Sequence, residues 1–405
     1  MPNLDSSPPD PSVIQPPEYP NDAPPATPSL GDILRSRIAL EGPMRFADFM
    51  EMALYHPALG YYARESHQVG REGDFFASVS VGPLFGEILA HRFLRAWQQI
   101  GSPARWRIIE SGAHDGSLAR DVLTALAQLS PEAFSTLEYV IPEPLPRLQE
   151  RQRATLQAFE ARTRLISTAH ELRSNPLPGI AFGNELLDAL PFHLVEWEDH
   201  RWHEVRVGLG VDHELTWEPN AEITDPKLLA ALAVLGSDFP AGYRTEVRTC
   251  IDEFLEPLTH CLMHGLMIWL DYGFARPEFY HPSRKTGTLR TFCKHRAADN
   301  PLVAPGEMDI TAHVDFTAVA ECARHLGGRP LAFRHQGSWL TEHARDWLIA
   351  QEGKPTSALR QFHALTHPAH LGGHFHVIEL TWSPTAPPIS ATDLHRLALQ
   401  ACPSL

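Results

Sequence analysis

The chain has 405 residues, 43% of them apolar and 20% charged, the balance of a soluble globular protein with room for one large or two medium domains. Its formal charge of −15 argues against nucleic acid as the main partner, because phosphate binding needs a basic stripe. No apolar run reaches the ~20 residues that cross a membrane, and five cysteines without CxxC spacing read as reduced thiols of a cytoplasmic protein, not a disulfide frame or zinc site.

Residues 1–30 hold ten prolines and no Lys or Arg, so they are expected to be a disordered tail. Asp5, Asp10, Glu18 and Asp22 set that tail apart from an Arg-rich, acid-poor transit peptide. Residues 31–56 repeat apolar side chains at helical spacing, and a glycine-containing loop with Tyr61, Tyr62 and Asp74 follows. Pro83 opens a second helical stretch through Trp97. Residues 31–104 therefore read as an N-terminal helical cap.

Strand signals then fall at 106–110, 137–141, 163–167, 178–183 and 266–271, with helices predicted at 116–129, 145–160 and 185–190. Such alternation predicts an α/β fold built on a parallel, doubly wound sheet. The pattern breaks at 192–264, which reads as an insertion ahead of the fifth strand. Late strands near 331–336 and 374–382 would complete a core of 105–191 and 265–385, leaving 386–405 as a C-terminal tail. The histidines between His363 and His376 straddle Pro368, Gly372 and Gly373, so no metal site is expected there.

Four constellations are candidates to carry the chemistry, the last being Trp269 to Phe274 at the end of the fifth strand with the long polar stretches 287–296 and 305–316 after it. The first strand ends in Glu110, and a turn bounded by Gly112 and Gly116 follows, with His114 at its middle. Such a turn brings backbone close to a ligand. A carboxylate there repels a pyrophosphate, which argues against an NAD-dependent oxidoreductase, and attracts the sulfonium and amino group of S-adenosylmethionine (SAM). The second strand ends before Glu143, placed to receive ribose hydroxyls. The fourth is followed by Asn184, Glu185 and Asp188, expected in the same crevice as Glu110. Capping competes as a reading, with Asn184 as N-cap and two acids in a first helical turn. Asp315 likewise reads as the N-cap of a helix over 316–326.

The order of these motifs resembles the MidA family of SAM-dependent methyltransferases. Gly60-Tyr61-Tyr62, the turn from Glu110 to Leu118, Pro142-Glu143-Pro144, Asn184-Glu185, Asp271-Tyr272-Gly273, Gly287-Thr288-Leu289-Arg290 and the stretch Asp309 to Phe316 carry the resemblance. It implies a class I methyltransferase Rossmann-like core with SAM at Glu110, Gly112, His114, Gly116, Glu143 and Asn184. A protein substrate, with arginine as the favoured methyl acceptor, follows from the same resemblance; a homodimer is compatible with it. Asn184, Glu185, Asp188 and Asp74 from the cap are the expected clamp on a guanidinium, which needs carboxylates to orient it. His114 departs from the family's glycine, and its imidazole would crowd the methionine end of SAM. The alternative reading is therefore an assembly or binding factor that keeps the fold with little or no catalysis.

Overall fold

The computed structural model of the chain describes residues 28–64, 78–293, 296–298, 300–350 and 357–383. The tail expected at 1–30 lies outside these residues except for its last three, and so do Asp74 and the C-terminal tail.

The central sheet has eight strands. Seven follow one path: β1 (Trp106–Ser111), β2 (Leu137–Pro142), β3 (Thr163–Ile166), β4 (Leu177–Asn184), β5 (Leu262–Phe274), β6 (Gly328–His335) and β7 (Phe375–Trp382). Their spatial order is β6-β7-β5-β4-β1-β2-β3. β1 to β5 are parallel, while β7 runs antiparallel to β5 and β6. All six residues of β1 are buried, as a central strand covered on both faces requires, and its charged members Arg107 and Glu110 are paired with Glu138 and Tyr139. Ile108 lies opposite Tyr139 on one side and Ile180 on the other. The chain leaves β1 toward β2 and β3, then returns to place β4 on the opposite flank. The carboxyl ends of β1 and β4 thus frame the crevice where such folds bind ligands.

Helices cover both faces. Leu84–Gln99 and Ser117–Leu129 pack on one side, where Phe93 meets Phe182 at 4.9 Å between ring centroids. Burying each such ring contributes roughly 1.5–3 kcal/mol. Ile251–Cys261 and Phe316–His325 pack on the other. Asp315 caps the latter, accepting from the amides of Thr317 and Ala318, as its spacing predicts.

Two predicted helices differ. The stretch 31–56 is two helices, Leu30–Glu41 and Phe46–Tyr55, parted at Gly42-Pro43 by the short strand Met44–Arg45. That strand pairs with Arg206 and Val207. It thereby joins an antiparallel sheet made by His193–Glu198, Arg201–Leu209, Leu215–Ala221 and Tyr243–Val247. The first two helices share a core with this sheet. The second difference is at 185–190, where no α-helix forms. A three-residue 3-10 turn, Leu187–Ala189, stands there, because Glu185 takes a left-handed backbone (φ 52°).

Candidate active site

A cavity of about 1300 Å³ opens at the carboxyl ends of β1 and β4. Small-molecule sites are usually roughly 300–1,000 Å³, so this one has room beyond a single small ligand. Glu110, Gly112, His114, Glu143, Asn184, Glu185 and Asp188 all line it. The structure therefore brings the first three constellations together, except that Gly116, expected at the SAM site, is not among the lining residues.

The half beside β1 is built from a turn and two acids. Glu110 is 2% exposed, and the Tyr139 hydroxyl donates to its Oε2 at 2.6 Å. Burial pushes its pKa up to about 8. Gly112 and Gly116 hold φ of 72° and 81°, and a Cβ on Gly112 would stand 3.0 Å from Leu186 Cδ1. The glycine turn is thus packed against the turn that follows β4. His114 also sits in the left-handed region at φ 46°. Glycine adopts that backbone freely, whereas an L residue costs about 1–2 kcal/mol. The imidazole lies toward Asp115, Nδ1 to Oδ1 3.9 Å.

Beyond β2, the Glu143 carboxylate is 6% exposed and accepts from the Leu145 amide at 2.9 Å through Oε1. Burial raises its pKa. Gln152, from the helix Pro146–Thr155, donates through Nε2 to Glu143 Oε2 at 3.3 Å and to the His114 carbonyl at 2.9 Å. It ties the second acid to the glycine turn. A lone glutamine in a polar helix gave no sequence signal of that role.

SAM fits this donor and acceptor set. Glu110 would offer a buried acid to a cationic methionine end, and Glu143 would offer one to a diol. Gly112 leaves space where a side chain would press on Leu186. Asn184 Oδ1 is a buried acceptor with no hydrogen-bond partner, a group that costs free energy until a ligand donor meets it.

The other half is acidic and aromatic. Glu185 Oε1 accepts from the Ser78 amide at 3.2 Å and from Asn184 Nδ2 at 3.0 Å, and neither bond uses Oε2. Burial, with Asp188 beside it, pushes Glu185 up to about 8. Burial likewise raises Asp188 to about 6, against the pull of Arg248. Among the described residues no side-chain cation lies within 4.0 Å of either carboxylate. The capping reading of this segment does not hold. The 3-10 turn has Leu186 at its N-cap and no side-chain cap, and Asn184 binds Glu185 instead.

Sequence reasoning placed Asp271 in a candidate constellation without giving it a role, and gave none to Tyr55 or Tyr62. Asp271, at the end of β5, accepts through Oδ2 from the amides of Leu186, Leu187 and Asp188 at 3.0, 2.7 and 3.1 Å. Tyr55 and Tyr62 stack at 5.4 Å on the cavity wall. The Tyr55 hydroxyl donates to the Ala189 carbonyl and that of Tyr62 to Asp309 Oδ1. Asp271, Tyr62 and Asp309 stand in motifs quoted for the family resemblance, and that was their available signal. The Gly287–Arg290 motif is partly scaffold. Glu246, from the insertion, accepts from the Thr288 and Leu289 amides at 2.7 and 2.8 Å, while Arg290 reaches the cavity wall.

Among the described residues no helix is long and apolar enough to cross a membrane, and no group of three or more His, Cys, Asp or Glu is placed to hold a metal.

Comparison with known proteins bears on this geometry. A family model of S-adenosyl-L-methionine-dependent methyltransferases matches residues 88–333. A Drosophila melanogaster protein named protein arginine methyltransferase NDUFAF7 homolog, mitochondrial, is 29% identical over 74% of this chain and 71% of its own length. The human protein arginine methyltransferase NDUFAF7, mitochondrial, is 28% identical over 74% and 70%. A crystal structure from Burkholderia thailandensis bound to S-adenosyl-homocysteine superposes with a TM-score of 0.78. It is 32% identical and covers 87% of this chain and 91% of that one. The relatives' names overturn the cytoplasmic expectation, since they are mitochondrial proteins. Reduced thiols report a reducing environment, not one compartment, so the cysteine argument could not discriminate. The chain belongs to the MidA family of SAM-dependent methyltransferases.

Proposed function

We propose that this methyltransferase acts on an arginine side chain of a protein substrate. The observation that carries the reading is the pair Glu185 and Asp188 on the cavity wall, Asp188 buried and Glu185 half-buried, with no side-chain cation of the described residues within 4.0 Å of either carboxylate. The names of the fly and human relatives point the same way.

Bound SAM supplies an electrophilic methyl group on a sulfonium. The protein's task is to bring a nucleophile to it in line, and positioning alone contributes up to ~7–11 kcal/mol in well-oriented systems. A guanidinium is protonated at neutral pH and is a poor nucleophile until carboxylates orient it and localise its charge. Glu185 Oε2 and the Asp188 carboxylate are the two acceptors available for its N–H groups. A guanidinium entering between them favours their ionised forms, so the proton that Glu185 holds in the empty site leaves on binding. Tyr55 and Tyr62 offer ring surface to the aliphatic stem. Asp74 belongs to the same proposal on the strength of Gly73-Asp74-Phe75 alone, a further motif of the family resemblance.

The test is to incubate the purified chain with SAM labelled in its methyl group and arginine-containing peptides, then hydrolyse the product. Label recovered as methylarginine supports the reading. Label recovered on lysine or on carboxyl groups instead contradicts it.

A further inference from the structure

Arg248 lies at the end of the insertion strand Tyr243–Val247, away from every motif in the sequence. Its guanidinium is spent on backbone. Nε donates to the Leu190 carbonyl at 3.2 Å, Nη1 to the His313 carbonyl at 2.5 Å, and Nη2 to the carbonyls of Asp188 and Ala312, each at 2.6 Å. The guanidinium also sits 5.1 Å from the Phe192 ring centroid. Hydrogen bonds from a charged donor are about twice as strong as neutral ones, and a planar fork can satisfy several acceptors at once.

The four carbonyls come from two loops that both line the cavity. Asp188 and Leu190 belong to the turn after β4, Ala312 and His313 to the segment leading into the helix Phe316–His325. The Ala312 amide also donates to the Asp188 carbonyl at 3.2 Å. Asp271 grips the same post-β4 turn by its amides. One acid therefore holds the N–H groups and one guanidinium the carbonyls of the segment that presents Glu185 and Asp188. A left-handed glutamate persists only where its surroundings over-determine it. Neither charge is offered to the guest.

We infer that Arg248 is a positioning residue for the acceptor half of the cavity: it fixes the Glu185–Asp188 turn against the Ala312–His313 segment and leaves the SAM half untouched. This rests on the reading of that half as the acceptor subsite. Lysine at this position keeps the charge but cannot fork to four carbonyls.

Arg248→Lys is tested by two measurements. Amide hydrogen exchange at Ala312 and Leu190 should accelerate at least tenfold, with exchange at Gly116 and Arg120 unchanged. Turnover of an arginine-containing peptide should fall about 10- to 100-fold in kcat/KM, with the Kd for SAM within about threefold of the wild type. A purely structural role would move SAM affinity and turnover together, and that result overturns the inference. Unchanged exchange at Ala312 and Leu190 overturns it too. Should the lysine variant fail to fold, Phe192→Leu loosens the ring beneath the guanidinium and is judged by the same exchange pattern. If the wild type methylates no arginine peptide, the arginine reading falls while the exchange result still decides the clamp.

Discussion

At the scale of single residues, the site is governed by what burial does to acids and what handedness does to the turn. His114 occupies a left-handed backbone position that glycine would fill without strain. His114→Gly should stabilise the fold by about 1 kcal/mol in urea denaturation and tighten SAM binding. Weaker SAM binding by the folded variant would instead make the imidazole a ligand contact. Glu143→Ala should weaken SAM by about 1.5–3 kcal/mol, the scale of a hydrogen bond to a charged group, and calorimetry reads this directly. Unchanged affinity in a folded variant would remove Glu143 from the SAM half. These positions were legible because one sits inside a glycine turn and the other directly follows a strand. Gln152 and Arg248 were not, because Gln152 bridges two separate segments, Arg248 reaches partners 58 and more residues away, and no local pattern marks either.

At the scale of elements, the segment 185–190 has the spacing of a helical first turn but not its backbone. Three amides that a helix would leave to a cap converge on Asp271, a residue 83 to 85 positions away. That tertiary acceptor outweighs local propensity. Asp271→Asn would place an amide donor where a carboxylate accepts, and should cost about 2–3 kcal/mol of stability, seen as a lowered denaturation midpoint. An unchanged midpoint would mean that the turn is held by other contacts. The strands, by contrast, were readable within a residue or two over 106–183, because each carries a short apolar cluster and alternates with a helical pattern. The division between cap and insertion was hidden. Met44–Arg45 pairs with Arg206 and Val207, and a two-residue strand leaves no periodicity to detect.

Across the whole molecule, buried acids make stability and ligand binding depend on pH. Glu110 and Glu185 have folded values of about 8 against an ordinary 4.5. Between those limits the folded state holds more protons than the unfolded one. Stability of the ligand-free protein should therefore fall as pH rises through that window, with chemical denaturation at pH 5 and pH 8 as the check. A flat profile would mean that these acids are already ionised in the fold.

The central claim is that one half of the cavity holds SAM and the other uses carboxylates to hold a cationic acceptor. Glu185→Gln tests it most directly, since glutamine keeps size and hydrogen bonding but removes the charge. Methyl transfer to an arginine-containing peptide and the calorimetric Kd for SAM should be measured on the same preparation. The account predicts a fall in transfer of ~10²-fold, equivalent to about 3 kcal/mol, with SAM affinity within about threefold. Full turnover by Glu185→Gln, or a loss of SAM binding in step with activity, would contradict it.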